Sequence, residues 1–210
     1  MTMLDGDRVA TLGVILAGGK ARRMGGGDKA LIDLCGQKLL DHVRGRLLPQ
    51  VGDILLSANG DLSRFGWPSG HVVADRSEFF GRGPLSGVLA AMESELAAGA
   101  RYGFLLVVPC DTPLLPPDLS ARLHEARRAR GVLGALASSG GRRHPTIALW
   151  SLDLRVAVRG VVAGRDVRLD EVTRDLGFAE ACWPIAGGDP FLNLNEAKDL
   201  SAAVRILSGA

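Results

Sequence analysis

Aromatic residues are scarce in this 210-residue chain, at 5% with a single tyrosine. That scarcity argues against an aromatic cofactor box, and Trp67, Phe79 and Phe80 are read as packing or loop anchors. Cysteine is rarer still. Cys35, Cys110 and Cys182 are odd in number and no pair has C-x-x-C spacing, so reduced thiols are expected rather than a disulfide framework or a local metal knuckle. No charge of one sign prevails: 25 basic and 23 acidic residues leave a net charge of +2. Composition alone therefore calls for neither nucleic acid nor an anionic membrane as partner. No apolar run approaches the length of a membrane span. The first twelve residues carry Asp5, Asp7 and Arg8 and lack the apolar stretch of a signal peptide. A cytoplasmic protein is the expectation. The four histidines form no constellation with serine or cysteine that would suggest a nucleophilic catalyst.

What the chain does have is apolar content, 47% by residue type. A chain of this length can bury roughly 70% of its unfolded surface, enough for one domain spanning residues 1–210. Short apolar runs alternate with helical patterns. Strands are predicted over residues 12–16, 54–56, 72–74, 104–108, 132–137, 146–150 and 179–183. Helices are predicted over 39–48, 84–98, 119–130 and 195–207, the second opened by Pro84 and closed by Gly99. Ser138 to Gly141 reads as a turn. This alternation predicts an α/β fold: a mostly parallel sheet in a three-layer α/β/α, Rossmann-like arrangement. In such sheets ligands bind beyond the carboxyl ends of the strands. The residues that follow the runs here are the Gly-rich segment after Leu16, Ser57 and Asn59, Asp75, and Cys110 with Asp111. Parallel strands would bring all of them to one rim.

The segment LAGGKARRMGGGDKAL, residues 16–31, holds five glycines and the cations Lys20, Arg22, Arg23 and Lys29. Glycines let backbone N–H groups turn toward an anion, and the cations add charge that suits a triphosphate. It is not a Walker A loop, because Lys29 is followed by Ala30 rather than Ser or Thr.

That run closely resembles the signature of the sugar-phosphate-type nucleotidyltransferases. In detail it is similar to the molybdenum cofactor guanylyltransferases, the MobA family. The likeness continues in Val73-Ala74-Asp75 with Gly83-Pro84-Leu85-Ser86-Gly87, in Pro109-Cys110-Asp111-Thr112-Pro113, in His144-Pro145-Thr146, and in Asn193-Leu194-Asn195. The resemblance implies transfer of GMP from GTP to molybdopterin with release of pyrophosphate, assisted by Mg²⁺. Transient contacts with molybdenum cofactor biosynthesis proteins or molybdoenzyme chaperones would accompany it. A cytidylyltransferase on the same scaffold and a non-catalytic nucleotide carrier are the competing readings.

The resemblance also distributes roles. Lys29 would meet the α- or β-phosphate, and Arg23 would neutralise the triphosphate. Leu16, Ala17, Gly18 and Gly19 would offer backbone contacts to the nucleotide. Asp111 would hold the metal, its alternative being a turn or N-cap aspartate. Asp75 would lie at the nucleotide, where a carboxylate can accept from both the ring N–H and the amino group of guanine; capping the next loop is its equal alternative. Ser57 stands where the family often has asparagine, which puts guanine selectivity in question. Asn193, Asn195 and His144 would face the acceptor, although Asn195 could instead cap the last helix. Arg142 and Arg143 suit either a pterin phosphate or a basic surface turn.

Overall fold

The computed structural model describes residues 5–18, 28–99, 101–164 and 168–208. Its strands are β1 (Thr11–Leu16), β2 (Asp33–Leu34), β3 (Gln37–Lys38), β4 (Asp53–Ser57), β5 (Val72–Val73), β6 (Phe104–Pro109), β7 (Gly134–Ser139), β8 (Arg142–Ser151) and β9 (Ala179–Trp183). Its α-helices are α1 (Asp5–Val9), α2 (Leu39–Leu47), α3 (Pro84–Met92), α4 (Glu95–Ala98), α5 (Leu119–Arg130), α6 (Arg155–Gly164), α7 (Leu169–Asp175) and α8 (Ala197–Ser208).

Seven strands form one sheet in the order β5-β4-β1-β6-β8-β7-β9, and β2 pairs only with β3. β1 runs parallel to both β4 and β6, and β4 parallel to β5. β8 is antiparallel to both neighbours, β6 and β7. The reason lies in the turn after β7, where Gly140 and Gly141 both take positive φ, 53° and 76°. A two-residue loop of that hand closes a hairpin and reverses the chain.

The sheet is buried on both faces, which is why its central strands read as unbroken apolar runs. Side chains alternate along each strand. Ile15, Leu56, Leu106 and Val108 pack toward α2 and α5, through Leu40, Val43, Leu47, Leu119 and Leu123. Leu12, Val14, Leu55, Leu105 and Val107 face the opposite way, toward Leu85, Val88 and Leu89 of α3, Val158 and Val162 of α6, and Leu169 and Val172 of α7. The three-layer α/β/α arrangement follows.

The predicted helix over residues 84–98 is in fact two helices. Ser94 takes the N-cap of α4, its Oγ accepting from the Ala97 N–H at 3.1 Å and donating to the Ala91 carbonyl at 2.8 Å. A capping serine competes with the helical backbone for its own hydrogen bonds, and here it ends α3.

Beneath the sheet, His124 of α5 is fully buried. Its Nε2 faces Thr11 Oγ1 at 2.9 Å, and Thr11 donates in turn to the Asp7 carbonyl at 2.6 Å. Nε2 is therefore the ring donor. Nδ1 accepts from Arg127 Nε at 3.3 Å, which only a neutral ring can do. Burial pushes the His124 pKa down to about 4; Asp7 opposes the fall, and Arg127 and Arg128 add to it. Between that value and the ordinary 6.5 the unfolded chain binds more protons than the folded one, so acidification favours unfolding. Stability should decline by about 2 kcal/mol from this group between pH 7 and pH 5. Urea unfolding at the two pH values checks this: His124→Gln should remove most of the difference, and an unchanged pH dependence would refute the assignment.

Candidate nucleotide and metal site

The carboxyl ends of β5, β4, β1 and β6 open onto a cavity of about 440 Å³. Its walls are laid out in strand order. Asp75 follows β5, Ser57 and Asn59 come from the end of β4 and just beyond, Leu16 and Gly18 belong to β1 and its sequel, and Cys110 and Asp111 follow β6. Three strand spacings, about 14 Å, separate the Asp75 end from the Asp111 end. Lys29, Thr146 and Asn193 line it as well, and Gly81, Gly83, Pro84 and Gly87 roof one side. The rim expected from parallel strands is thus present. Ala17 is buried beneath it, its N–H bound to the Ser57 carbonyl at 2.8 Å. Gly19 and Arg23 lie outside the described residues, as do Lys20 and Arg22.

Lys29 is not an exposed lysine. It is 7% accessible, and its Nζ donates to Asp111 Oδ2, to Asn193 Oδ1 at 3.1 Å and to Asn195 Oδ1 at 2.6 Å. All three ammonium donors are used, within a cradle of oxygens from segments more than eighty residues away. The Asn193-Leu194-Asn195 segment achieves this by alternation. Leu194 is fully buried against Leu34, Leu39 and Ala203, and both asparagine side chains reach Lys29. The Leu194 N–H also donates to the Asp111 carbonyl at 2.9 Å, fastening the segment to the end of β6. Asn195 does not cap α8 with its side chain. Asp199 reaches back instead, accepting from the N–H groups of Asn195 and Glu196 at 3.0 and 2.8 Å.

Asp111 is 9% accessible, and its Oδ1 is buried with no hydrogen-bond partner among the described residues. That bare carboxylate oxygen is a hard donor that fits Mg²⁺, while Asp111 Oδ2 and the Asn193 and Asn195 oxygens accept from Lys29. Among the described residues no three His, Cys, Asp or Glu side chains cluster as a cage. An ion held by one or two carboxylates and by substrate phosphates needs no such cage. Neighbouring Cys110 is inert: burial, and then the Asp111 charge, push its thiol up to about 12.

At the other end, Asp75 does not cap the following loop. Asn59 Nδ2 donates to Asp75 Oδ2 at 2.9 Å, and the Asp75 N–H donates to Asn59 Oδ1 at 2.9 Å. Ser57 packs directly under α3: a Cβ at Gly87 would come within 2.6 Å of Ser57 Oγ. Glycine there lets the helix approach and leaves Ser57 on the cavity wall. The sequence offered no sign that Asn59 binds Asp75 or that Lys29 binds Asn195.

His144 does not border the cavity; Thr146, two residues on, does. His144 packs on Phe191 and meets Ser139 Oγ at 2.7 Å, and Ser139 donates to Asp189 Oδ1 at 2.8 Å. Because the single hydroxyl hydrogen goes to Asp189, His144 must be the donor to Ser139. Asp189 binds serine rather than histidine, so the trio is a structural brace and not a nucleophilic triad. Arg143, within β8, turns to Asp170 and Glu180, each at 3.3 Å.

The mostly parallel sheet, with the buried Lys29–Asp111 pair at its carboxyl edge, has the fold of the nucleotidyltransferases. Solved structures agree on the fold. The molybdopterin-guanine dinucleotide biosynthesis protein A of Archaeoglobus fulgidus superposes with a TM-score of 0.70 at 20% identity, covering 95% of this chain and 100% of that one. The 4-diphosphocytidyl-2C-methyl-D-erythritol synthase of Anaerococcus prevotii reaches 0.68 at 11% identity, covering 94% and 98%. Sequence is more specific. The MobA-like NTP transferase domain matches residues 13–176. Molybdenum cofactor guanylyltransferases of Rhodopseudomonas palustris strains BisB5 and HaA2 are 43% and 46% identical to it. The alignments cover 95% and 94% of this chain, and 95% and 92% of those proteins. The chain belongs to the MobA-like NTP transferase family.

Proposed function

We propose that this protein is a molybdenum cofactor guanylyltransferase that moves GMP from GTP to molybdopterin, releasing pyrophosphate and forming molybdopterin guanine dinucleotide. One observation carries the reading. A single cavity holds a lysine–carboxylate centre at one end and a braced carboxylate at the other, in a chain over 40% identical to guanylyltransferases along nearly its whole length. Residues 1–210 are read as one nucleotidyltransferase domain acting in the cytoplasm. Among the described residues no helix is long and apolar enough to cross a membrane.

In this reading GTP lies along the carboxyl edge of the sheet, its base toward Asp75 and its phosphates toward Lys29 and Asp111. Leu16, Ala17, Gly18 and Gly19 hold the nucleotide through backbone groups, and Arg23 adds charge against the triphosphate. Asp111, with oxygens from Asn193 and Asn195 nearby, would hold Mg²⁺. The ion would screen the phosphate charges and stabilise the departing pyrophosphate. Lys29 pairs with the phosphate that gathers charge as the bond to the α-phosphorus breaks. The acceptor phosphate needs no base, because a phosphate monoester with a second pKa near ~6 is largely dianionic at neutral pH. Asn193 stands on the acceptor side. His144 acts there indirectly, by bracing the loop that carries Asn193. Contacts with cofactor-biosynthesis proteins or molybdoenzyme chaperones would deliver substrate and collect product.

The test is pyrophosphate release with Mg²⁺ and molybdopterin, comparing GTP, CTP, ATP and UTP. GTP should be preferred by about 10²-fold or more, since a site built for hydrogen bonds rejects analogues that leave them unmade. Preference for CTP would keep the mechanism and overturn the base assignment. Folded protein that releases no pyrophosphate in response to acceptor would overturn the transferase reading.

A further inference from the structure

The two ends of β4 and β5 are joined by a ladder that a side chain completes. Leu56 N–H donates to the His71 carbonyl at 2.8 Å, and Ala58 N–H to the Val73 carbonyl at 2.9 Å. One step further the backbones part. There the Asn59 side-chain carbonyl takes the Asp75 N–H, and its amide donates to Asp75 Oδ2. Among the described residues Asn59 is the only side chain hydrogen-bonded to the Asp75 carboxylate. The plane of that carboxylate is therefore set by an amide needing one acceptor and one donor at fixed positions.

Asn59 is itself held. Arg64 Nη2 donates to the Asn59 backbone carbonyl at 2.9 Å, and the same guanidinium binds Asp28, the residue before Lys29. Both Asn59 and Asp75 line the cavity. Burial pushes the Asp75 carboxyl up from its ordinary value, and the hydrogen bond from Asn59 opposes that rise, favouring the charged acceptor.

We propose that Asn59 is a specificity-determining positioning residue, which aims the Asp75 carboxylate so that it accepts from the guanine ring N–H and 2-amino group together. The inference rests on the proposed reading of Asp75 as the base acceptor. A carboxylate free to rotate could still accept one hydrogen bond, but it would lose the ordering that makes the second one count.

GTP and ITP, which differ only in the 2-amino group, are the probes. Binding of both is measured by calorimetry to the wild type, Asn59→Ala and Asn59→Asp, with thermal melts to confirm folding. The wild type should prefer GTP about 10- to 100-fold, the range for one hydrogen bond to a charged group. Both variants should bind the two nucleotides within about threefold of each other, mainly by losing GTP affinity. Asn59→Asp sets carboxylate against carboxylate; if it does not fold, Asn59→Ala decides. Variants that weaken both nucleotides equally and keep the wild-type ratio would overturn the proposal, because a merely structural role moves affinity and not discrimination. A wild type that binds GTP and ITP equally would instead overturn the reading of Asp75, and this proposal with it.

Discussion

Replacing Asp111 with asparagine should lower turnover by about 10³-fold while leaving a folded protein. The substitution keeps the shape and one oxygen, so Lys29 retains an acceptor there besides Asn193 and Asn195. What disappears is the charge that would hold the divalent ion. Asp111→Ala is a worse probe, because removing one partner of a buried pair costs about 3–5 kcal/mol through the charge left behind. Lys29→Met should cause a loss of similar size. The double variant Lys29→Met/Asp111→Asn should be little worse than either single one, since residues that act as a unit are not additive. Single-turnover pyrophosphate release, with Mn²⁺ binding followed by electron paramagnetic resonance, separates the two roles. Asp111→Asn should weaken ion binding in the presence of GTP, whereas Lys29→Met should not. Full activity in Asp111→Asn would remove Asp111 from the metal site.

The strands were legible because burial on both faces leaves a continuous apolar run, as in β1 and β6. The rim followed from topology: once strands are parallel, whatever follows them shares an edge, and Asp75, Ser57 and Asp111 do. Helices α6 and α7 were among those not read. α6 buries only Val158 and Val162 and carries Gly160 in its interior, so its apolar stripe is too thin to recognise. The antiparallel run of β8 was implicit in the Gly140-Gly141 turn, but strand alternation alone suggested parallel neighbours.

The site was legible in its residue types and illegible in its pairings. Lys29 stood out beside the glycines, yet its partners are 82, 164 and 166 residues away. No local pattern encodes such contacts. Asn195 could be read as a helix cap because asparagine favours that position, and Asp199 four residues on was the actual device. His144 lay inside a recognisable block, but β8 leaves its regular register with β7 between His144 and Ala148, and it is Thr146 that reaches the cavity. Asn59 could be placed at the rim by its position after β4, but nothing marked its partner. An asparagine before a glycine reads as a turn, and Gly60 does take a positive φ of 82°. The hydrogen bonds that give Asn59 its importance exist only once β4 and β5 are side by side.

Substituting Asp75 with asparagine should exchange guanine for xanthine as the preferred base. The direction follows from Asn59. Its amide donates at the position of Asp75 Oδ2, so an asparagine at 75 must place its carbonyl there and its NH₂ at the position of Oδ1. Guanine would then meet a donor with its own 2-amino donor: one charge-assisted hydrogen bond is lost, two donors are left opposed, and the ring N–H keeps only a neutral acceptor. With about 1.5–3 kcal/mol for the lost bond and a smaller loss for the weakened one, GTP affinity should fall by about 10²-fold or more. Xanthine has a carbonyl in place of that amino group. Its ring N–H can still find the asparagine carbonyl, and its 2-oxo group accepts from the new NH₂. XTP should therefore bind the variant more tightly than GTP does, reversing the wild-type order, and competition calorimetry with the two triphosphates would show it. A variant that loses affinity for every triphosphate alike would mean that Asp75 supports the cavity wall without reading the base. A variant that still prefers GTP would mean that selection rests on another group lining the same end, such as Ser57.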